Sequence, residues 1–258
     1  MARADLMAFE PQRKRAKTST ARIVQTTSVQ PLKCKEPLLN NPDKVFFIEA
    51  YFDRMRARVD QLKKLDAGLL DGESFRDEAL ILCLVYIDGM ASCYYGEKGT
   101  KTKENFCKAL RELSGDPLFG KLHVPYLLSH EFDKHGAGAK PAVEALAASK
   151  PGQLLDETEV ADAIPKSRVE KSDQQSLITN LWRYSVGAIC YEVMRNAAVH
   201  GLGASPLSFG ETLHAGAQGF ELNFPVLHEA LRSISEQVAK ESIDKGEWFG
   251  RKNYLKSR

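Results

Sequence analysis

The sequence predicts an all-α protein, a helical bundle with a small β-hairpin near its C-terminus. Apolar residues recur three and four positions apart over long segments, which is the period of an amphipathic helix. Strand-like stretches are confined to 206–212 and 219–224, on either side of a glycine-containing turn. With 258 residues, 43% of them hydrophobic and 27% charged, the chain is long enough to bury a sizeable core.

The first two helices follow from this spacing. One begins near a potential cap, either Asn41 or Asp43, and ends near Gly68. The next, from Ser74 to Gly96, has a serine cap and acidic residues in its first turn, and it is apolar on nearly every side through its middle. We therefore expect the second helix to be central and buried. The apolar positions of the first are Val45, Phe46, Ile48, Phe52, Met55, Val59, Leu62 and Leu65.

The third helix and the segment after it contrast in regularity. An amphipathic pattern covers about 102–113 and stops before Gly115 and Pro117. Repeated proline and glycine then interrupt 114–171, which we interpret as an irregular insertion. Short helices are predicted there, at about 124–133, 141–148 and 155–163.

Helical periodicity returns in the C-terminal third of the chain. A helix of about 27 residues is predicted from Ser172 to the sequence RNAAVHG, where Gly201 ends it. The small hairpin follows. A last helix spans about Pro225 to Asp244, with the proline well placed in its first turn.

The chain divides into a basic arm, 1–40, and a helical domain, 41–258. The arm lacks a sustained period, so we expect it to be flexible. Residues 1–35 carry a net charge of +6, which leaves −4 for the rest of the chain. A negative body disfavours a broad nucleic-acid sleeve, although a local cationic site remains open.

Several protein classes are excluded by composition. Apolar runs are too short to span a bilayer, and the N-terminus lacks the apolar core of a secretory signal. The five cysteines are odd in number and show no CxxC spacing, which argues against a disulfide framework or a zinc site. We therefore expect a cytoplasmic protein that has no membrane partner.

Two familiar motifs are present only in part. The segment GDPLFGKL has the glycine and lysine spacing of a phosphate-binding loop, but Leu122 replaces the hydroxyl residue that would hold magnesium. In HEFDKH, His130 and His135 stand five apart, whereas a zinc protease helix needs four. Neither motif supports a metal-dependent enzyme, and no GxSxG elbow is present.

The segment RNAAVHG carries the most distinctive chemistry. It places Arg195, Asn196 and His200 within about one and a half helical turns. A histidine can move the proton of an attacking hydroxyl or a leaving group, while an arginine stabilises charge on phosphoryl oxygens. This set suits metal-free cleavage of a phosphodiester. An arginine and a histidine are also favoured near a helix C-terminus by the helix dipole alone.

The order arginine, asparagine, three residues and histidine resembles the signature of the HEPN superfamily. The wider order of segments is similar to a bacterial branch of that superfamily over about 43–245. It comprises the buried helix ending IDGMASCYYG, the KENFCKALREL helix, the long helix ending RNAAVHG, and the hairpin with the final helix.

The resemblance implies a HEPN-like bundle that dimerises, bringing two motifs into one cleft. Members with an intact motif are typically metal-independent endoribonucleases, often toxins or antiviral effectors, and they use no cofactor. In this chain His200 would serve as general base or acid for attack by the ribose 2′-hydroxyl, and Arg195 would bind the scissile phosphate. Asn196 would orient the imidazole or contact the substrate. Asp88 and Ser92, four residues apart on one face of the second helix, would contact substrate or support Arg195.

One position departs from the pattern of the superfamily. Some members carry a tyrosine two residues after the histidine, which a partner antitoxin modifies, and Leu202 occupies that position here. An antitoxin or defence-system partner acting in that way is therefore in doubt. The main alternative function is a noncatalytic helical interaction or RNA-binding module, in which Arg195 and His200 finish a helix. A third is a metal-dependent hydrolase using His130 and His135.

Overall fold

The computed structural model describes residues 43–67, 75–96, 101–130, 138–164, 170–197, 207–209 and 220–252, and this part of the chain is mostly helical. The basic arm, 1–40, lies outside the described residues. The α-helices are α1 (Asp43–Asp66), α2 (Arg76–Tyr95), α3 (Thr102–Lys108), α4 (Val124–His130), α5 (Lys140–Ser149), α6 (Glu157–Ala163), α7 (Lys171–Asn180), α8 (Val186–Ile189) and α9 (Phe224–Lys245).

Other helical types continue or follow these elements. A π-helical segment, Ala109–Leu113, continues α3, and a second, Cys190–Arg195, continues α8. Single 3-10 turns occupy Pro117–Gly120, Leu181–Tyr184 and Trp248–Gly250.

Two three-residue strands, β1 (Leu207–Phe209) and β2 (Phe220–Leu222), pair antiparallel with Leu207 opposite Leu222. Residues 210–219, which would form the turn of the expected hairpin, lie outside the described residues, so the hairpin stays a prediction.

Helices α1, α2 and α9 pack against one another and form the first core, together with α3 and its π-helical continuation. Each long helix contributes a continuous apolar face. The expected burial of α2 is confirmed for one face, where Cys83, Leu84 and Ile87 are fully buried, whereas Val85 on another side is 41% exposed. By length and hydropathy α2 would also pass as a membrane span, but a core helix of this kind passes the same test. The largest fully buried side chains of the first core are Ile48, Phe52, Leu80, Leu84, Ile87, Phe106, Leu110 and Phe119.

Local chemistry sets the ends of the long helices. Gly96 adopts φ +73° and closes α2, and Arg251 caps its last turn by donating from Nη1 to the Cys93 carbonyl at 2.9 Å. At the start of α9 the Asn223 side chain accepts from the Val226 amide at 3.4 Å, and Gly246 ends the helix with φ +58°. One residue of the apolar stripe predicted for α1, Phe46, is not part of the core, since it is 64% exposed.

The short helices expected between 114 and 171 are present, as α4, α5 and α6. Their apolar residues, with those of α7 and the 3-10 turn after it, form a second core. Backbone bonds between Leu122 and Leu155, at 2.7 and 3.1 Å, hold the two sides of this region together. The second core contains Leu122, Val124, Leu127, Ala139, Val143, Leu155, Val160, Ile164, Leu177, Leu181 and Tyr184.

The prediction of a single helix of about 27 residues from Ser172 is wrong. The structure has α7, a 3-10 turn and then a break at Ser185, whose backbone is extended at ψ 157°. The Ser185 side chain accepts from the Ala188 amide at 3.3 Å and so caps a new helix, α8. Val186 instead donates its amide to the Lys121 carbonyl at 2.9 Å, which ties the break to the loop before α4.

Candidate functional site

An ion pair between Asp88 of α2 and Arg195 joins two elements of the first core. The Arg195 guanidinium donates from Nε at 3.2 Å and from Nη2 at 2.7 Å, both to Oδ2 of Asp88. The two side chains are only 17% and 15% exposed. The structure thus brings together two residues that stand 107 positions apart in the sequence.

The π-helical segment positions Arg195. Cys190 and Met194 bury one side of it in the first core, so the remaining side carries Tyr191 and Arg195 toward the surface. Gly187, just upstream, allows the close packing of α8, because a Cβ there would lie 3.2 Å from the Phe119 carbonyl oxygen. Single π-helical turns inside helices are rare and frequently occur at functional sites.

The Arg195 guanidinium uses three of its N–H donors within the described part of the protein. A guanidinium has five N–H donors. Two meet Asp88, and a third, on Nη1, meets Oδ1 of Asn196 at 3.3 Å. The other two donors, one on each terminal nitrogen, have no partner among the described residues. Guanidinium N–H groups are suited to bind the oxygens of a phosphate.

An aromatic ring supports the guanidinium from one side. The Arg195 Cζ atom lies 5.0 Å from the centre of the Tyr191 ring, which in turn packs edge-on against Phe106 at 5.3 Å. Burial raises the pKa of Tyr191, and the charge of Arg195 opposes that rise. Tyr191 therefore stays neutral and acts as a cation–π partner that restricts the guanidinium plane.

The second oxygen of the Asp88 carboxylate, Oδ1, is buried and has no hydrogen-bond partner among the described residues. A buried acceptor without a donor is costly, and such groups in proteins usually mark a functional site or a missing partner. This oxygen lies on the carboxylate that holds Arg195. It is therefore a buried acceptor without a partner among the described residues, adjacent to the guanidinium.

A second polar cluster lies one helical turn before Arg195. Glu192 accepts a hydrogen bond from the Tyr126 hydroxyl at 2.7 Å and forms an ion pair with Lys103. Burial and the Glu192 carboxylate raise the pKa of Tyr126 to about 12. The sequence analysis missed Glu192 and Tyr126. The only signal was the position of Glu192 three residues before Arg195, since the pairing with Tyr126 depends on tertiary structure.

The residues predicted for the site are distributed unevenly. Asp88, Arg195 and Asn196 are in contact. Ser92, one turn after Asp88 on α2, makes no hydrogen bond to Arg195 in the part of the chain that the structure describes. His200 lies outside the described residues, as does Leu202.

The polar side chains of the GDPLFGKL segment that the structure describes bind other groups of the protein. Lys121 of the GDPLFGKL segment pairs with Asp156 at 2.7 Å, and the Asp116 carboxylate accepts from the Leu118 amide at 2.9 Å. These groups are engaged within the protein instead of lining an open phosphate loop. His130 ends α4, and His135 lies outside the described residues. Within the described ranges no group of three or more potential metal ligands occurs.

Comparisons with protein-family models, with curated proteins and with solved structures found no match to this chain.

Proposed function

We propose that the protein is a HEPN-like, metal-independent endoribonuclease that acts in the cytoplasm as a toxin or antiviral defence effector. The observation that carries this proposal is the Arg195 guanidinium, held by Asp88 with two donors left over, immediately before Asn196 and His200. A fixed cation with unused donors is what stabilisation of a phosphoryl transition state requires.

The proposed chemistry assigns one role to each group. His200 takes the proton of the ribose 2′-hydroxyl, which attacks the adjacent phosphorus. The bond from phosphorus to the 5′-oxygen breaks, and a proton passes to that leaving oxygen. The products are a 2′,3′-cyclic phosphate and a 5′-hydroxyl. Arg195 binds the phosphoryl oxygens, while Asn196 orients the imidazole or contacts substrate.

Dimerisation belongs to the same proposal. On an ideal helix Arg195 and His200 would lie about 140° apart, so one copy does not direct both side chains at one phosphate. A homodimer would place the arginine of one copy near the histidine of the other. A further protein partner, an antitoxin or a defence component, would control the activity.

The decisive experiment compares wild type, His200→Ala and His130→Ala on total RNA in EDTA, with end-group mapping of the fragments. The proposal expects cyclic phosphate ends from wild type and from His130→Ala, and none from His200→Ala. If His200→Ala is folded and cuts as wild type does, the catalytic proposal fails. If wild type does not cut RNA and His200→Ala loses the oligomeric state of wild type, the noncatalytic interaction module is supported.

Asp88 is proposed as a positioning residue for Arg195, and its test needs a readout beyond stability. Asp88→Asn keeps the side-chain volume but removes the charge that orients the guanidinium. We expect kcat to fall roughly 10- to 100-fold, as for other supporting contacts. The thermal midpoint should also fall, because the guanidinium of a largely buried ion pair loses its counter-charge. Arg232→Ala on α9, which removes an exposed arginine paired with Glu229 and Glu236, should leave kcat unchanged. A fall in Tm without a fall in kcat would make Asp88 merely structural.

A further inference from the structure

The Trp182 ring is contacted by cationic side chains from two elements. It lies in the 3-10 turn before α8 and is partly exposed. The Lys103 Nζ atom of α3 and the Arg183 Cζ atom each lie 5.8 Å from its ring centre. Both are within the distance at which a cation is attracted to an aromatic face.

A cleft of about 100 Å³ opens beside this ring. It carries two cations, Lys108 and Arg111, against one carboxylate, Glu104. The cleft is lined by Glu104, Cys107, Lys108, Arg111, Trp182 and Ser185. The surface formed by Trp182 with Lys103, Lys108, Arg111 and Arg183 is called the Trp182 platform below.

Two cations of the platform, Lys108 and Arg111, form only exposed or long ion pairs, whereas Lys103 is paired with Glu192. Lys108 pairs with Glu104 at 2.9 Å, but these side chains are 37% and 39% exposed. The carboxylate contacts of Arg111 are long, at 3.4 Å to Glu112 and 3.9 Å to Glu157. Exposed pairs of this kind contribute little to stability because water screens them. A phosphate can therefore replace the carboxylates at small cost.

The platform is continuous with the candidate site. Lys103 contacts the Trp182 ring and also forms the ion pair with Glu192, one turn before Arg195. Tyr191, whose ring packs against the Arg195 guanidinium, is a second aromatic ring next to the candidate site.

We propose that the Trp182 platform binds single-stranded RNA, with one base stacked on Trp182 and neighbouring phosphates on Lys108 and Arg111. The inference deepens the proposed function, on which it rests, by naming the substrate class that Arg195 meets. Aromatic rings interleaved with cations bind single strands because every base has a face that can stack. The bases of a duplex are already stacked on one another, so the platform discriminates against double-stranded RNA.

The first test uses the small number of tryptophans. The sequence has two, so Trp248→Phe leaves Trp182 as the only reporter of fluorescence. In the full-length chain carrying His200→Ala and Trp248→Phe, a single-stranded RNA of about eight uridines should quench Trp182. A blunt duplex of the same length should bind at least about fivefold more weakly. Unchanged fluorescence at saturating RNA, or equal affinity for the duplex, would overturn the proposal.

Affinity measurements in the His200→Ala chain give a second test. Trp182→Ala should weaken binding of the same single strand by roughly tenfold or more, whereas Trp182→Phe retains a stacking face and most of the affinity. The double variant Lys108→Gln, Arg111→Gln should reduce the slope of log K against log salt by about 1.4. The matched pair Arg232→Gln, Lys240→Gln on α9 should not change it. Equal slopes in both double variants would contradict the platform.

These outcomes separate the two proposals. If wild type leaves RNA intact but single-stranded RNA quenches Trp182, the ribonuclease proposal fails and the platform stands as a binding site. If wild type cuts RNA and Trp182 fluorescence does not change, the platform fails and the ribonuclease proposal stands.

Discussion

The two cores are built from different kinds of segment. The first core joins long helices, and α1, α2 and α9 each bury five or more residues along one continuous face. In the second core, α4, α5, α6 and α7 each contribute one or a few buried side chains, such as Val143 from α5 and Val160 from α6. The difference shows that a stable apolar cluster need not rest on long amphipathic helices.

Backbone hydrogen bonds at one junction link the second core to the candidate site. His123 donates its amide to the Tyr184 carbonyl at 3.1 Å, and Val186 donates to the Lys121 carbonyl at 2.9 Å. Helix α8 and the π-helical segment with Arg195 begin at this junction. The second core therefore supports the start of the segment whose end carries the candidate site.

The largest expected effect comes from emptying either core. Phe106 in the first core and Leu127 in the second are fully buried. Phe106→Ala should lower the free energy of unfolding by about 3–5 kcal/mol, and Leu127→Ala by about 2–5 kcal/mol. Denaturant unfolding should stay a single transition in both variants, because the two cores belong to one compact unit.

Phe46→Ala is the matched control, since Phe46 is 64% exposed and its removal should change the free energy of unfolding by about 0.5 kcal/mol or less. A split transition in Leu127→Ala alone would show that the second core unfolds independently. The two cores would then be two separate folding units.

Periodicity accounts for what the sequence could predict. The stripe of α3 and its continuation, Phe106, Ala109, Leu110 and Leu113, is buried as the three-and-four spacing required. The break at Ser185 was missed, because Leu181 and Tyr184 continue a helical spacing while facing the second core. Ser185 could be identified as a cap only once the Lys121 carbonyl was known to bind the next amide.

The candidate site was predictable to a similar degree. The resemblance to the HEPN superfamily, together with the spacing of Asp88 and Ser92 on α2, led us to predict Asp88 as a partner of Arg195, and the structure has this ion pair. The Glu192 cluster was not accessible, because Tyr126 and Lys103 reach Glu192 from other elements, across 66 and 89 positions of sequence. Contacts of this range leave no periodic signal in a single sequence.

A smaller effect should come from the contact that joins α4 to the π-helical segment. Tyr126→Phe removes the hydrogen bond to Glu192 and should cost about 1 kcal/mol of unfolding free energy. Combining it with Glu192→Gln in a double-mutant cycle isolates the pairwise term. The losses of unfolding free energy caused by the two substitutions should be non-additive by about 1 kcal/mol. Additive losses would mean that the two regions are coupled through backbone contacts alone.

The smallest effect concerns His123 at the junction. Burial lowers the pKa of His123 below its ordinary value, so the unfolded chain takes up a proton more readily than the folded chain as the pH falls. Its contribution to stability is therefore complete above the unfolded pKa of about 6.5 and is lost as the pH falls below it. Carboxylates with a lowered pKa, such as Glu104, change the pH dependence of stability only at lower pH, where they become protonated.

His123→Gln removes this titration while keeping a polar side chain of similar length. Urea midpoints at several pH values from 8 down to about 5.5 would measure the difference in unfolding free energy between wild type and variant. The advantage of wild type should shrink as the pH falls through that range. A difference that is constant with pH would mean that His123 is equally protonated in both states, and the junction would then be as accessible to water as the unfolded chain.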